Sequence, residues 1–460
     1  MRHVTIPAIA ALPLILACGC RSYEPRPLAL DETQRDFLVR AIDGPSLAVF
    51  RERLQARAPE SGAFDPTDGV SLAEAEAIAL VFNADLRAAR LEAGVTRAGA
   101  DHAGLWRDPT LGVDLTRIVG GAAAGVEAIG SIALTVPLSG RLELERAEAG
   151  AVHAAQLARI AAEEWRTVAS LRRLWIRRAS LAAEADANRG FLERAAQVLA
   201  IVDRMEHAGE IARIEARILR IEDAKLRAAL RATEAELART THDIEALLGL
   251  PPSAGRRFAA GFGDLASVGW ESPQELVARI ARTSPAIAVA RAEHEVAEHR
   301  LAGEIRAQWP DLELAPGYGE QDGDTQAVLG IGVTLPVFNG NRRGIAEAEA
   351  ARELARGRAE HALERALGEL LSAEERLGAA VLQREFVEST LIPLVETQYA
   401  EAREVARLGE VNTLILLESL KQQLDAKRQL IAARRDESLA AVDIEEIAGP
   451  AGAPAEGRSP

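Results

Sequence analysis

The chain is written twice. "NADLRAAR" (83–90) returns as "SPAIAVAR" (284–291), and "DPTLGVDL" (108–115) as "WPDLELAP" (309–316). "LTVPLSG" (134–140) is answered by "VTLPVFNG" (333–340), "HAGEI" (207–211) by "RLGEV" (407–411), and "HDIEALLG" (242–249) by "VDIEEIAG" (442–449). The matches keep one order and a nearly constant offset, the mark of an internal duplication. Whatever fold forms must therefore be built from two like halves, 71–249 and 272–449, joined by a Gly- and Pro-bearing linker at 250–271.

Each half has the same grammar. A helix over 71–100 opens the first, with Leu72, Ala75, Ala79 and Phe82 near helical spacing. Two strands follow, then a very long helical stretch: no proline occurs between Leu138 and Leu250. Gly209 and its counterpart Gly409 read as turns of helical hairpins, since glycine accepts the left-handed conformation that ends a helix. Arms of up to about 60 residues would reach roughly 90–100 Å at 1.5 Å per residue. Aromatic residues make up 4% of the chain while apolar residues make up 48%. That mix suits helices packed closely through alanine, in the manner of coiled coils. Gly190, Gly357, Gly368, Gly378 and Pro393 interrupt the helical pattern and predict bends.

The strands have one greasy side. In 110–118, Leu111, Val113 and Leu115 alternate with Gly112, Asp114 and Thr116; the segments 131–138, 311–318 and 327–335 repeat the pattern. Segments 119–130 and 319–326 read as loops. A half-buried sheet of a soluble domain alternates in this way too, but no further core-forming element stands nearby to cover the face. Apolar-out, polar-in dyads of this length are those of a membrane barrel. In lipid every backbone group must be paired, so the sheet must close. Four strands cannot enclose a water-filled lumen, and several chains contributing four each could.

Residues 1–17 have the form of a secretory signal peptide: Arg2 and His3, then the apolar run Val4–Ala17. "ILAC" reads as a lipobox with Cys18 as the acylated residue. Cys20 is the alternative, with Ala17 rather than Ile15 at its aliphatic position. Residues 18–70 read as a lipidated tether and 450–460 as a disordered tail. The net charge of −15 excludes a nucleic-acid partner, which requires a basic patch. No metalloprotease, phosphate-loop or nucleophile-elbow motif is present, so no enzyme, cofactor or resident metal is expected. "EHEVAEH" (293–299) offers carboxylate–imidazole pairs at i,i+4, for which surface pairing is the simpler reading.

The strand–Pro–turn–helix passage "VTLPVFNGNRRGIAEAEA" (333–350), the segment "ARLGEVNTLILLESLKQQLDAKRQL" (406–430) and "SLAEAEAIALVFNADLRAARLE" (71–92) together resemble the outer-membrane efflux (TolC-like) family, in its lipoprotein form. "LPVFNGNRRGIAEAEA" is most similar to the heavy-metal cation efflux branch. The resemblance implies a mainly α chain with a small β part. Three copies would form a twelve-stranded outer-membrane β-barrel continuous with a periplasmic α-helical tunnel. It further implies a periplasmic adaptor (membrane fusion) protein and an inner-membrane transporter of the RND type as partners, with outer-membrane lipid around the barrel. Carried onto this chain, Ala208, Gly209 and Glu210 and Leu408, Gly409 and Glu410 are the adaptor-facing tips. Pro137, Gly140, Pro336 and Gly340 mark the exits from the barrel. Glu418 matches an acidic constriction position, with Glu215 as a first-half candidate; Ile415 stands where a second acidic residue is common. A solvated helix-face carboxylate is the alternative for Glu418. For the whole chain, a periplasmic coiled-coil adaptor or structural lipoprotein is the competing reading.

Overall fold

Both halves start on the same hydrogen-bonded device. Ser71 accepts from the Glu74 N–H at 3.3 Å, while Glu74 accepts from the Ser71 N–H at 2.8 Å. Ser272 and Glu275 repeat the exchange at the same distances. These capping boxes satisfy donors that the first helical turn leaves without partners. The computed structural model describes residues 22–40, 69–117, 119, 126–252, 257–262, 272–321, 324–407 and 413–450. The chain divides into two units, Met1–Ala41 and Ile42–Pro460. In the first, helix α1 (Leu30–Leu38) buries no side chain.

The second unit runs α2 (Leu72–Phe82), α3 (Ala84–Asp101), β1 (Thr110–Arg117), β2 (Val126–Val136), α4 (Arg141–Ala208) and α5 (Arg213–Leu247). The order then recurs as α6 (Pro273–Thr283), α7 (Pro285–Arg306), β3 (Leu312–Gln321), β4 (Asp324–Val333), α8 (Arg342–Phe386), a π segment (Val387–Leu391), α9 (Ile392–Arg407) and α10 (Thr413–Ala448). The expected opening helix of 71–100 is in fact two. Asn83 leaves helical geometry, its Oδ1 accepts from the Leu86 N–H at 3.0 Å, and its Nδ2 donates to the Leu247 carbonyl at 2.9 Å. Asparagine competes with the backbone for hydrogen bonds, which makes it a cap rather than a helix-interior residue. Pro285 sets the same break in the second half, where the Thr283 hydroxyl donates to the Ala448 carbonyl at 2.7 Å.

The hairpin arms are unequal, at 68 residues for α4 and 35 for α5. The long arm therefore extends roughly 100 Å at the standard helical rise. Gly190, Gly357, Gly368 and Gly378 lie inside continuous helix and do not break it. Pro393 does have an effect. It lacks an N–H, and in a regular α-helix its ring meets the carbonyl of residue 389. The preceding turn widens: the Ile392 N–H reaches Val387 O, and Ser389 Oγ donates to Glu385 O at 2.6 Å.

Where each half ends it is fastened to its own beginning. Gly249 and Gly449 both adopt positive φ, 65° and 83°. A Cβ on Gly249 would overlap the carbonyl of Phe82, and one on Gly449 that of Thr283. Around the first fastening Ile78, Phe82, Leu171, Trp175, Ile244 and Leu248 form a buried cluster. Trp175 meets Phe258 edge-on, with centroids 5.7 Å apart. Leu276, Ile280, Ile287, Leu370, Ala373 and Ile444 do the same for the second half. Ion pairs then cross between halves. Arg172, paired with Glu76 of its own half at 2.6 Å, also reaches Glu445; Arg173 reaches Asp443 at 2.7 Å and also Glu446.

Replacing Gly249 or Gly449 by alanine should destabilise the chain by about 2 kcal/mol or more, because strain and overlap combine. Gly190, with open space around it, should be neutral or gain about 0.5–1 kcal/mol as alanine; chemical unfolding of the three variants measures both. A second expectation concerns pH. Hydrogen bonds from Arg434, and then from Arg384, hold the Glu388 carboxyl below its ordinary range, partly opposed by burial. A folded pKa below the unfolded one gives stability that is complete above the unfolded carboxylate value and lost as pH falls through the folded one. Titration from about pH 6 to pH 3 should shrink the stability gap between the wild type and Glu388→Gln.

Candidate functional site

The four strands form one antiparallel sheet in the order β1-β2-β3-β4, with β2 paired to β3 across the duplication. Pairing runs further than the apolar alternation shows. The expected loop 119–130 gives up its last residues to β2, which starts at Val126, and β3 and β4 reach Gln321 and Asp324. Polar residues such as Glu320 and Thr325 occupy these outer rungs, which is why hydropathy alone ends the strands early.

Register puts the greasy residues on one side. Leu111 faces Ile132 across the β1–β2 ladder, Leu134 faces Leu314, and Leu314 faces Ile331. Side chains opposite one another lie on the same face of the sheet. Leu111, Leu329 and Ile331 are 63%, 63% and 65% exposed, so no part of the described chain covers this face. The opposite face carries Gly112, Asp114, Ser131, Thr135, Glu313, Gly330 and Gly332. Both outer strands keep one unpaired edge among the described residues.

At one end the strands pass into helices. Pro137 directly follows β2, and Gly140 caps α4 at φ 70°. In the second half β4 ends at Val333 rather than Leu335, so Pro336 stands beyond the ladder. Gly340 and Asn341, both at φ 52°, then start α8. Two contacts that no sequence pattern announces fasten these exits. Arg141 lies 3.4 Å from Asp311 at the start of β3. Asn341 Nδ2 donates to the Glu304 carbonyl at 2.8 Å and to its carboxylate at 2.6 Å.

At the far end of α4, Ala208 closes the helix and Gly209 turns it at φ 75°, with the Glu210 N–H donating to Met205 O at 2.9 Å. Leu408, Gly409 and Glu410 lie outside the described residues, as do Cys18 and Cys20. Glu215, half-buried, lies in the first turn of α5. Glu418 is exposed on α10, while its neighbours Leu416, Leu417, Ser419 and Leu420 are buried. Those leucines pack with Phe191, Val198 and Val202 of α4 and with Ala216 and Leu219 of α5. Glu418 consequently stands on the side of α10 away from the chain's own packing; Gln422 donates to it at 3.4 Å. Higher on these helices Lys421 lies 3.7 Å from Glu222. A hydrogen bond from Lys225, opposed by burial and aided by Lys421, lowers the Glu222 pKa.

Among the described residues no group of three or more His, Cys, Asp or Glu is placed to hold a metal ion. In 293–299, Glu293 takes Arg159 at 2.6 Å and His294 lies 3.7 Å from Glu298. No described helix is long and apolar enough to cross a membrane.

No family model matches the chain. It is 25% identical over 269 residues to the cobalt-zinc-cadmium resistance protein CzcC of Cupriavidus metallidurans, an alignment spanning 56% of this chain and 62% of that protein. In three dimensions it is similar to CusC, with TM-score 0.69 at 16% identity over 83% of this chain and 92% of that one. It is likewise similar to the outer membrane protein VceC of Vibrio cholerae, with TM-score 0.67 at 17% identity over 82% and 96% of the two chains. The duplicated strand pair with one bare apolar face, passing through left-handed turns into long helical hairpins, thus belongs to a chain that shares its fold with CusC and with the outer membrane protein VceC.

Proposed function

We propose that the chain is the outer-membrane component of a tripartite efflux pump, a passive exit duct that performs no catalytic step. The observation that carries this reading is the four-stranded sheet with an uncovered apolar face and two open edges. In hydrocarbon an unpaired edge costs several kcal/mol for each unsatisfied group, so β4 of one copy pairs with β1 of the next. Three copies then close twelve strands, and the hairpins continue the wall into the periplasm. The small, acidic face of each sheet lines the lumen, which favours cations. Likeness to a cobalt-zinc-cadmium resistance protein supports metal cations as the exported class, with small toxic compounds as the broader one.

In this reading 1–17 is removed, and Cys18, or alternatively Cys20, carries palmitate in the outer membrane. Residues 18–70 are the lipidated tether, and 250–271 links the two halves, 71–249 and 272–449. The tips at Ala208–Gly209–Glu210 and Leu408–Gly409–Glu410 meet the periplasmic adaptor, which joins the duct to an RND-type inner-membrane transporter. Glu418, on the side of α10 that the chain's own packing leaves free, converges with its two copies as a constricting ring, flanked by Glu215.

The test is conductance in a planar bilayer together with the mobility of the unheated protein in detergent gels. A trimer that gives discrete conductance steps supports the duct, and a carbonate-extractable monomer without conductance overturns it. Glu418→Gln should lower the cation-over-anion permeability ratio at low salt. The difference should fade near 1 M salt, where charge is screened within about 3 Å; an unchanged ratio removes the ring.

A further inference from the structure

The two halves differ at one shared place among the helices. In the first, the N-terminus of α3 is closed from within: Asn83 Oδ1 accepts from the Leu86 N–H at 3.0 Å, and Asp85 adds a carboxylate to the first turn. The duplication puts Ser284 where Asn83 stands, Ala286 for Asp85 and Ile287 for Leu86. The start of α7 therefore has neither device: Ser284 caps nothing, and the first turn holds no acid. Pro285 brings no N–H, which leaves the Ala286 and Ile287 amides without a partner in their own helix.

Both helix starts border a cavity, and the two differ in size. The one beside α3 has a volume of about 340 Å³ and the one beside α7 about 730 Å³. Ser284 lines the larger cavity. The residue is only 3% exposed, and its hydroxyl has no hydrogen-bond partner among the described residues. A buried hydroxyl beside two unpaired amides calls for an acceptor, because leaving such groups unsatisfied is costly. The N-terminus of a helix carries partial positive charge, so the favoured acceptor is an anion.

The walls narrow the choice of anion. Arg166, Arg365 and His361 line the cavity, as do Glu369, Asp443 and Glu446. Each acid is already paired: Glu369 with Arg365 at 2.7 Å, Asp443 with Arg173 at 2.7 Å and with Arg376 at 2.9 Å, and Glu446 with Arg173. Arg166 is taken by Glu163 of its own helix, and His361 has no ion-pair partner among the described residues. Charges this nearly balanced favour one negative charge over the two of a phosphate. Trp165, Val289 and Ile447 add an apolar wall. A carboxylate is also the group that the first half carries at this point, as Asp85.

We propose that this cavity binds a short-chain monocarboxylate, its oxygens accepting from the Ser284 hydroxyl and the first free amides of α7 while its carbon chain lies against the apolar wall. The site belongs to the helical part of the chain and goes beyond the duct reading, on which it does not depend.

Purified full-length protein in detergent is studied by saturation-transfer NMR with butyrate as the probe, its neutral analogue butyramide as the control and inorganic phosphate as the competitor. Butyrate should receive saturation from the wild type at least threefold more strongly than butyramide, and equimolar phosphate should leave most of that signal in place. Ala286→Asp supplies the carboxylate of the first half and should cut the butyrate signal at least fivefold. Folding should survive, because an acid suits the first turn of a helix. Ser284→Asn restores the neutral cap of the first half and should also cut the signal, which separates occupation of the site from mere repulsion. Equal signals from butyrate and butyramide, no signal from butyrate, or a butyrate signal that both variants keep in full overturns the site. Full displacement by equimolar phosphate overturns the preference for a carboxylate. Conductance recorded on the same preparations should be alike in all three proteins, so the site and the duct stand or fall separately.

Discussion

Inside a membrane no water stands ready to accept a hydrogen bond from an exposed amide, and that single constraint organises this chain. A sheet whose apolar face enters hydrocarbon cannot keep bare edges. Within one chain, β1 and β4 keep theirs. The proposed assembly follows from the edges more than from any side chain. Three sheets joined edge to edge pair every strand and sort residues by face, aliphatic to lipid and small or acidic to the lumen. In the proposed assembly the helices would inherit a circular arrangement from this closure, since each long arm follows directly on a strand of the sheet.

The fastenings at the ends of each half concentrate several kinds of contact in one region of the structure. Near Gly249 and Gly449 the chain is held by close backbone approach, by aromatic and aliphatic clusters, and by arginines that bridge the halves. Towards the hairpin ends the packing relies on the cluster from Phe191 to Leu424 and on exposed ion pairs such as Arg220–Asp203. Exposed pairs contribute little. The widened turn before Pro393 lies between these regions and replaces standard helical hydrogen bonds by longer-range ones.

Much of this was legible in the residues, and for identifiable reasons. Duplication sets the element order, alternation sets the faces, and Gly209 sets a turn because few other residues accept its backbone geometry. The outer rungs of the sheet were not legible: Glu320 and Thr325 pair through their backbones and carry no hydropathy signal. The break at Asn83 carries little signal because Ala and Leu on either side are good helix formers, and one cap between them outweighs the pattern. Contacts such as Arg141–Asp311 and Asn341–Glu304 join residues far apart in the chain, and only the folded arrangement brings them together. Glycines inside the long helices leave them continuous.

Having two copies of one plan in a single polypeptide frees each copy to diverge. At the offset of the repeat, the position matching Glu418 is Ile218, which is also exposed. Around the axis of the proposed trimer, six structurally equivalent places thus alternate between carboxylate and hydrocarbon. A six-membered ring encoded by one unrepeated gene would carry the same residue at every place. In the proposed ring duplication staggers the acids rather than stacking them, since Glu215 stands where the second half has Ile415, and each carboxylate level is interleaved with an oily side chain.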